Sequence, residues 1–295
     1  MRSGPAGPNS IEPPTKTAAA PNLLLLPLLF FPSASFGRIE RRRSTMATGT
    51  TDYQAAPERF PWETPKPVGD FWTPLDAVRQ HLGRQFLLVF TPAETAALPL
   101  DPRLPTRAKL ELLYKIAQDR VARDALGPPG MLTPEQYAQW RHQQYLLESL
   151  EEELELYDTA EAREHTLMAA YEARTDNVRK APTDLGALSG LAWLKIKQGQ
   201  YTLAEMYARR FLPMAQNFVS LGPDSPQAIG GMRILIEALG RQGKFAEARQ
   251  FNEEGYRVIQ NMTVGKFRKY AAEELEAMNE LRANLNKWEA EIQWR

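Results

Sequence analysis

Apolar residues recur three and four positions apart along most of the chain beyond residue 72, which is the period of an amphipathic helix. Between Arg107 and Leu126, Leu110, Leu113, Ile116, Ala117 and Val121 fall on one helical face, and Gly127-Pro128-Pro129-Gly130 ends the run. Leu188, Leu191, Ala192 and Leu194 to Ile196 mark a second such face, and Met232, Leu235, Ile236 and Leu239 a third. From Phe267 to Arg295, Leu275, Met278, Leu281, Leu285, Trp288 and Ile292 predict one long terminal helix. Start signals support the pattern. Thr73-Pro74, Thr91-Pro92 and Thr133-Pro134 each pair a capping hydroxyl with a proline that needs no N–H, and Asp76, Glu94 and Gln136 follow near the capping-box position. Ser225-Pro226 repeats the cap and proline without the acid. The run Phe86 to Phe90 is apolar without a period and fits either a strand or a buried helix.

The most informative feature is self-similarity. Gly199, Tyr201 and Ala204 return as Gly243, Phe245 and Ala248, each 44 residues on (243 − 199, 245 − 201, 248 − 204). The same step backwards lands on Glu155, Tyr157 and Ala160, with the glycine replaced. Glycine allows the left-handed turn between two helices, the aromatic plugs the space between them, and alanine lets their backbones approach. One such hairpin cannot bury its own apolar face and must stack on the next.

This pattern resembles the tetratricopeptide repeat: Gly199, Tyr201, Ala204 and Tyr207, then Gly243, Phe245, Ala248 and Phe251, stand at that family's turn and packing positions. The linker Leu221-Gly222-Pro223-Asp224-Ser225-Pro226 is similar to that of the kinesin-light-chain type, with Ser225 where histidine is common. The resemblance covers about residues 135–262. It implies an all-α fold, an α-solenoid of about three hairpins over 131–295, with a helical lead-in over 71–130 and a long C-terminal capping helix. It also implies a non-enzymatic interaction module that holds a protein or peptide partner on its concave face. By that resemblance the inward positions are Ser189, Trp193 and Lys197, then Arg233, Glu237 and Arg241, with Tyr145 and Ser149 as counterparts in the degenerate repeat. Trp193 is equally a core candidate. The alternatives are a structural subunit or assembly factor of a larger complex and, further down, an enzyme with a site in residues 71–130.

Composition narrows the choice. Lys+Arg and Asp+Glu both number 36, so the chain lacks the basic excess of a nucleic-acid binder. There is no cysteine, which removes thiol catalysis, disulfides and cysteine-ligated zinc. His81, His142 and His165 lack metal-ligand spacing. Gly186 to Gly190 only superficially matches a nucleophile elbow and falls inside an expected helix, and Gly243-Lys244 lacks the rest of a phosphate loop. The acidic run Glu148, Glu151, Glu152, Glu153 and Glu155 reads as a solvated helix face. No catalytic, cofactor or metal residue is therefore assigned.

Residues 1–70 are rich in Pro, Ala, Ser and Thr and show no helical period, which predicts a disordered extension. Their apolar run Leu23 to Phe31 is broken by Pro27 and too short to span a bilayer, which takes about 20 residues. Three readings of 1–45 stay open. It is a secretory signal ending near Ser33-Ala34-Ser35; it is a mitochondrial presequence with Arg38, Arg41, Arg42 and Arg43; or it is an extension upstream of a start at Met46. The expected location is cytoplasmic, with mitochondrial or secreted as the alternatives.

Overall fold

The structure is a computed structural model that describes residues 65–293 apart from 80, 177 and 180. The Leu23–Phe31 run, the arginines at 38 and 41–43 and Met46 lie outside the described residues. The described residues are all-helical, with no strand.

The lead-in holds α1 (Thr73–Val78), α2 (Leu82–Val89), α3 (Pro92–Ala97) and α4 (Thr106–Asp124). The ambiguous run Phe86 to Phe90 is thus the end of a helix, and it stays apolar because Phe86 and Phe90 stack in the lead-in core, ring centroids 4.3 Å apart. Full capping boxes form at Thr91 and Thr133. Thr73 differs. Helix α1 begins with Trp72 at the cap position, and the Thr73 hydroxyl donates back to the Gly69 carbonyl (3.1 Å).

Three helix pairs follow: α5 (Pro134–Glu153) with α6 (Tyr157–Glu172), α7 (Leu185–Lys197) with α8 (Tyr201–Gln216), and α9 (Pro226–Arg241) with α10 (Phe245–Met262). Each pair also packs on the next, α6 on α7 and α8 on α9, and α7 touches α9. The final helix α11 (Ala271–Gln293) lies on α9 and α10. It starts later than the sequence predicts, after a single 3₁₀ turn at 268–270. Met278, Leu281, Leu285 and Trp288 are buried there, whereas Leu275 and Ile292 are exposed.

The 44-residue step is written into the backbone. Residues 155, 199 and 243 all take left-handed φ, at 63°, 71° and 76°. The next N–H in each case reaches the carbonyl five residues back: Leu156 to Glu151 (2.8 Å), Gln200 to Lys195 (2.8 Å) and Lys244 to Leu239 (2.9 Å). This is the Schellman closure of a helix end. Glu155 adopts it without being glycine, so the turn survives loss of the residue that favours it. Ala160, Ala204 and Ala248 are each fully buried, so the small residue sits where the helices come closest.

Two cores result. One joins Phe71, Trp72, Leu75, Leu82, Phe86, Leu110 and Leu113 of the lead-in to Leu146, Leu147 and Leu150 of α5. The other runs from Leu185 to Trp288 through α7 to α11. Helix α5 therefore has the lead-in on one side and the later helices on the other.

Candidate functional site

Where the lead-in meets the helix pairs, α2, α5, α6 and α7 enclose a cavity of about 30 Å³. Its buried floor is Arg79, Gln85, Glu148, Glu152, Glu164 and Ser189. Tyr145, Gly186, Gly190 and Trp193, only partly buried, complete the lining. The local sequence explains the shape. Gly186 and Gly190 are one turn apart on α7. A Cβ at the first would overlap the Tyr145 hydroxyl, and at the second the Glu164 carboxylate. The Gly186 to Gly190 segment is helical, as expected, and its glycines make room for side chains of α5 and α6. Asp184 caps α7 by accepting from the Gly186 N–H (3.0 Å), while Arg141 (2.6 Å) and the Tyr145 hydroxyl (3.0 Å) donate to it.

The acidic run on α5 is not a solvated face. Glu148, Glu151 and Glu152 are buried, because α2 and α4 pack over α5 and other elements bring cations to it. Arg79, at the end of α1, donates to Glu152 and to Glu153 (3.4 Å) and lies 3.8 Å from Glu148. Lys197 of α7 pairs with Glu152 (3.1 Å) and Glu153 (3.2 Å). Glu151 accepts from Arg163 (2.6 Å) and from the Tyr114 hydroxyl (2.9 Å). Burial would raise Glu152, yet Arg79 and Lys197 hold it below the usual carboxylate range. Burial raises Glu148, despite Arg79. Glu164 is pushed well above the usual carboxylate range, first by burial and then by Glu148, Asp184 and Glu152. Both its oxygens lack a hydrogen-bond partner among the described residues, as do Gln85 Oε1 and Trp193 Nε1.

The five residues expected to face a partner fall into two groups. Trp193 and Lys197 sit on α7 at and beside this cavity, Trp193 in its lining and Lys197 on the α5 carboxylates. Arg233, Glu237 and Arg241 lie on α9 against α11. Arg233 is 3.7 Å from Glu274, Glu237 is buried with Arg241 3.7 Å away, and the Arg241 guanidinium lies 4.2 Å from the Trp288 ring centroid. Ser149 and Ser189, further inward positions, are both buried, and the Ser149 hydroxyl donates to Glu148 (3.2 Å). Arg79, Gln85 and Glu164 carried no signal in the sequence, since no motif links positions so far apart.

Among the described residues no three His, Asp or Glu side chains converge in a way that could hold a metal ion. His81 and His142 are pushed down to about 4, mainly by burial, and His165 is exposed, 3.8 Å from Glu161. A second concavity, about 350 Å³ and apolar, lies open between Ala181, Pro182, Pro213, Met214 and Phe218. No described helix is long and apolar enough to cross a membrane. Fold and site together define an all-helical protein with a buried carboxylate-rich cavity. No family model, no curated protein and no solved structure matches the chain.

Proposed function

We propose that the chain is a tetratricopeptide-like repeat array whose task is to hold a protein or peptide partner along the first helices of its pairs, α5, α7 and α9. The observation that carries the reading is the left-handed turn recurring at 155, 199 and 243 with the same backbone closure. Equal turns at equal spacing stack helix pairs in a row, and such rows present one extended face. On that face Arg241 is exposed and Trp193, Lys197 and Arg233 are partly so, while buried Glu237 steadies Arg241. Aromatic and arginine side chains are the residues that dominate interface energies.

A second reading, a fixed subunit of a larger assembly, is favoured by one observation. Lys197, Arg233 and Arg241 already have partners within the chain, so the charged face is not free of internal contacts. A catalytic role is not proposed. The enclosed cavity has perturbed carboxyls, but about 30 Å³ holds only a few water-sized groups.

Quantitative pull-downs from native lysate with the full chain and its Arg241→Glu variant test the partner-holding reading, after circular dichroism shows equal helicity. A partner recovered by the first and lost by the second supports it. Equal recovery of the same partners removes this face as the site and favours the subunit.

A further inference from the structure

The cavity between α2, α5, α6 and α7 has an imbalance that the fold does not resolve. Glu164, 1% exposed, offers two oxygens with no donor. Gln85 Oε1, on an element from the other side of the cavity and 5% exposed, is a third acceptor without a donor. Among the described residues that line the cavity, the buried donor left without a partner is the Trp193 indole N–H. Arg79 does not supply the missing donors, because its guanidinium is committed to Glu152, Glu153 and Glu148. An unpartnered buried carboxyl is costly to keep. Here it is also built in, since glycine at 190 is what leaves room for it.

Charge points the same way. The groups facing Glu164 are Glu148 and Glu152 on α5, Asp184 at the start of α7, and Arg79 from the α1 corner. Arg141 is tied to Asp184, and Lys197 to Glu152 and Glu153. With Glu164 and Glu153 included, five carboxyl groups face three cations, so the site carries an excess of two negative charges when all five are ionised. An occupant that donates several hydrogen bonds and carries positive charge removes both deficits.

We propose that this cavity is a binding site for a primary alkylammonium group, held by the Glu164 carboxylate and the Gln85 side-chain carbonyl. An accompanying water accepts from the Trp193 N–H. The volume admits this: a water position needs about 10–15 Å³, so about 30 Å³ takes an ammonium head and one small neighbour. In this proposal the stem enters beside Tyr145 and Trp193, which are among the partly buried residues of the lining. Burial and the nearby carboxylates push the Glu164 carboxyl well above the usual carboxylate range, so a bound cation competes with its proton and binds more tightly as pH rises. The site rests on its own geometry and not on the repeat-array reading. The same chemistry is offered by a free small amine and by the tip of a lysine side chain.

The test titrates the full chain calorimetrically with methylammonium chloride, with tetramethylammonium chloride at equal ionic strength, and with N-acetyl-lysine amide beside its norleucine analogue. Saturable methylammonium binding is expected, with none for tetramethylammonium, which has no N–H to donate. Glu164→Gln should fold at least as well as the parent, because it removes an uncompensated buried acid, and should weaken methylammonium at least about tenfold. Binding of the lysine compound but not of norleucine makes a polypeptide the source. Methylammonium binding alone makes it a free amine. No saturable binding, equal binding of tetramethylammonium, or undiminished binding by Glu164→Gln overturns the proposal and leaves a cavity for water only.

Discussion

Replacing Glu237 by Gln should stabilise the protein at alkaline pH and leave it almost unchanged in acid. Glu237 is 3% exposed on α9, and its nearest cation, Arg241, stands 3.7 Å away with its guanidinium beside Trp288. Burial pushes the carboxyl from 4.5 up to about 7, and Arg241 only partly opposes it. Between those values the native state holds a proton that the unfolded chain has released. The native state then binds more protons, so stability falls as pH rises through the window and is lowest above 7. At 1.36 kcal/mol for each tenfold change, the ceiling on that loss is about 3 kcal/mol. Gln has the same shape and no charge at any pH. The variant should match the parent within about 0.5 kcal/mol at pH 4.5 and exceed it by about 1–3 kcal/mol at pH 8. Urea unfolding followed by helical circular dichroism at both pH values measures this, with midpoints compared at constant slope. An equal difference at the two pH values, or a variant weaker than the parent at pH 8, refutes the reasoning. It would mean that Arg241 keeps Glu237 charged and compensated.

Three further substitutions probe the frame. Glu155→Gly should raise stability by about 0.5 kcal/mol in urea unfolding, since a left-handed residue with a Cβ costs about 1–2 kcal/mol and glycine's greater unfolded-state freedom returns about 0.5–1 kcal/mol; a clear loss would show that the Glu155 side chain stabilises the turn. Arg79→Met should cost about 3 kcal/mol in the same assay, because it strips Glu148 and Glu152 of their buried cation, and a cost below about 1 kcal/mol would show that Lys197 alone suffices. Gly231→Ala should lower the thermal midpoint, because the added Cβ would stand 2.7 Å from the buried Phe211 ring, and overpacking of about 1–3 kcal/mol exceeds the helix gain of about 1 kcal/mol; an unchanged or higher midpoint would show that the ring moves aside at little cost.

What the sequence made legible is what depends on near neighbours. The apolar faces, the capping boxes at Thr91 and Thr133 and the 44-residue step need only local spacing, and all are seen in the helices. Even the degenerate turn at Glu155 was placed by its spacing from Gly199. The acidic run on α5 was misread for the opposite reason. Glu148 and Glu152 lie one turn apart, a spacing that suits a solvated face as well as a buried one. The difference is made by Arg79, about 70 positions earlier, and by Lys197, 45 positions after Glu152. Glu164 and Gln85 come to line one cavity in the same way, through packing of α2 and α6 against α5, so the cavity had no signature in the chain. The limits of α11 were blurred because Leu275 and Ile292 keep the apolar period while lying exposed near its ends.

Amide hydrogen exchange of the full chain, with and without a partner recovered in the Arg241-dependent pull-down, tests the central claim most directly. If the chain holds that partner along the first helices of its pairs, added protection gathers on α5, α7 and α9 and spares the outer surfaces of α6, α8 and α10. Protection confined to α6, α8 and α10, or to the lead-in, contradicts the account.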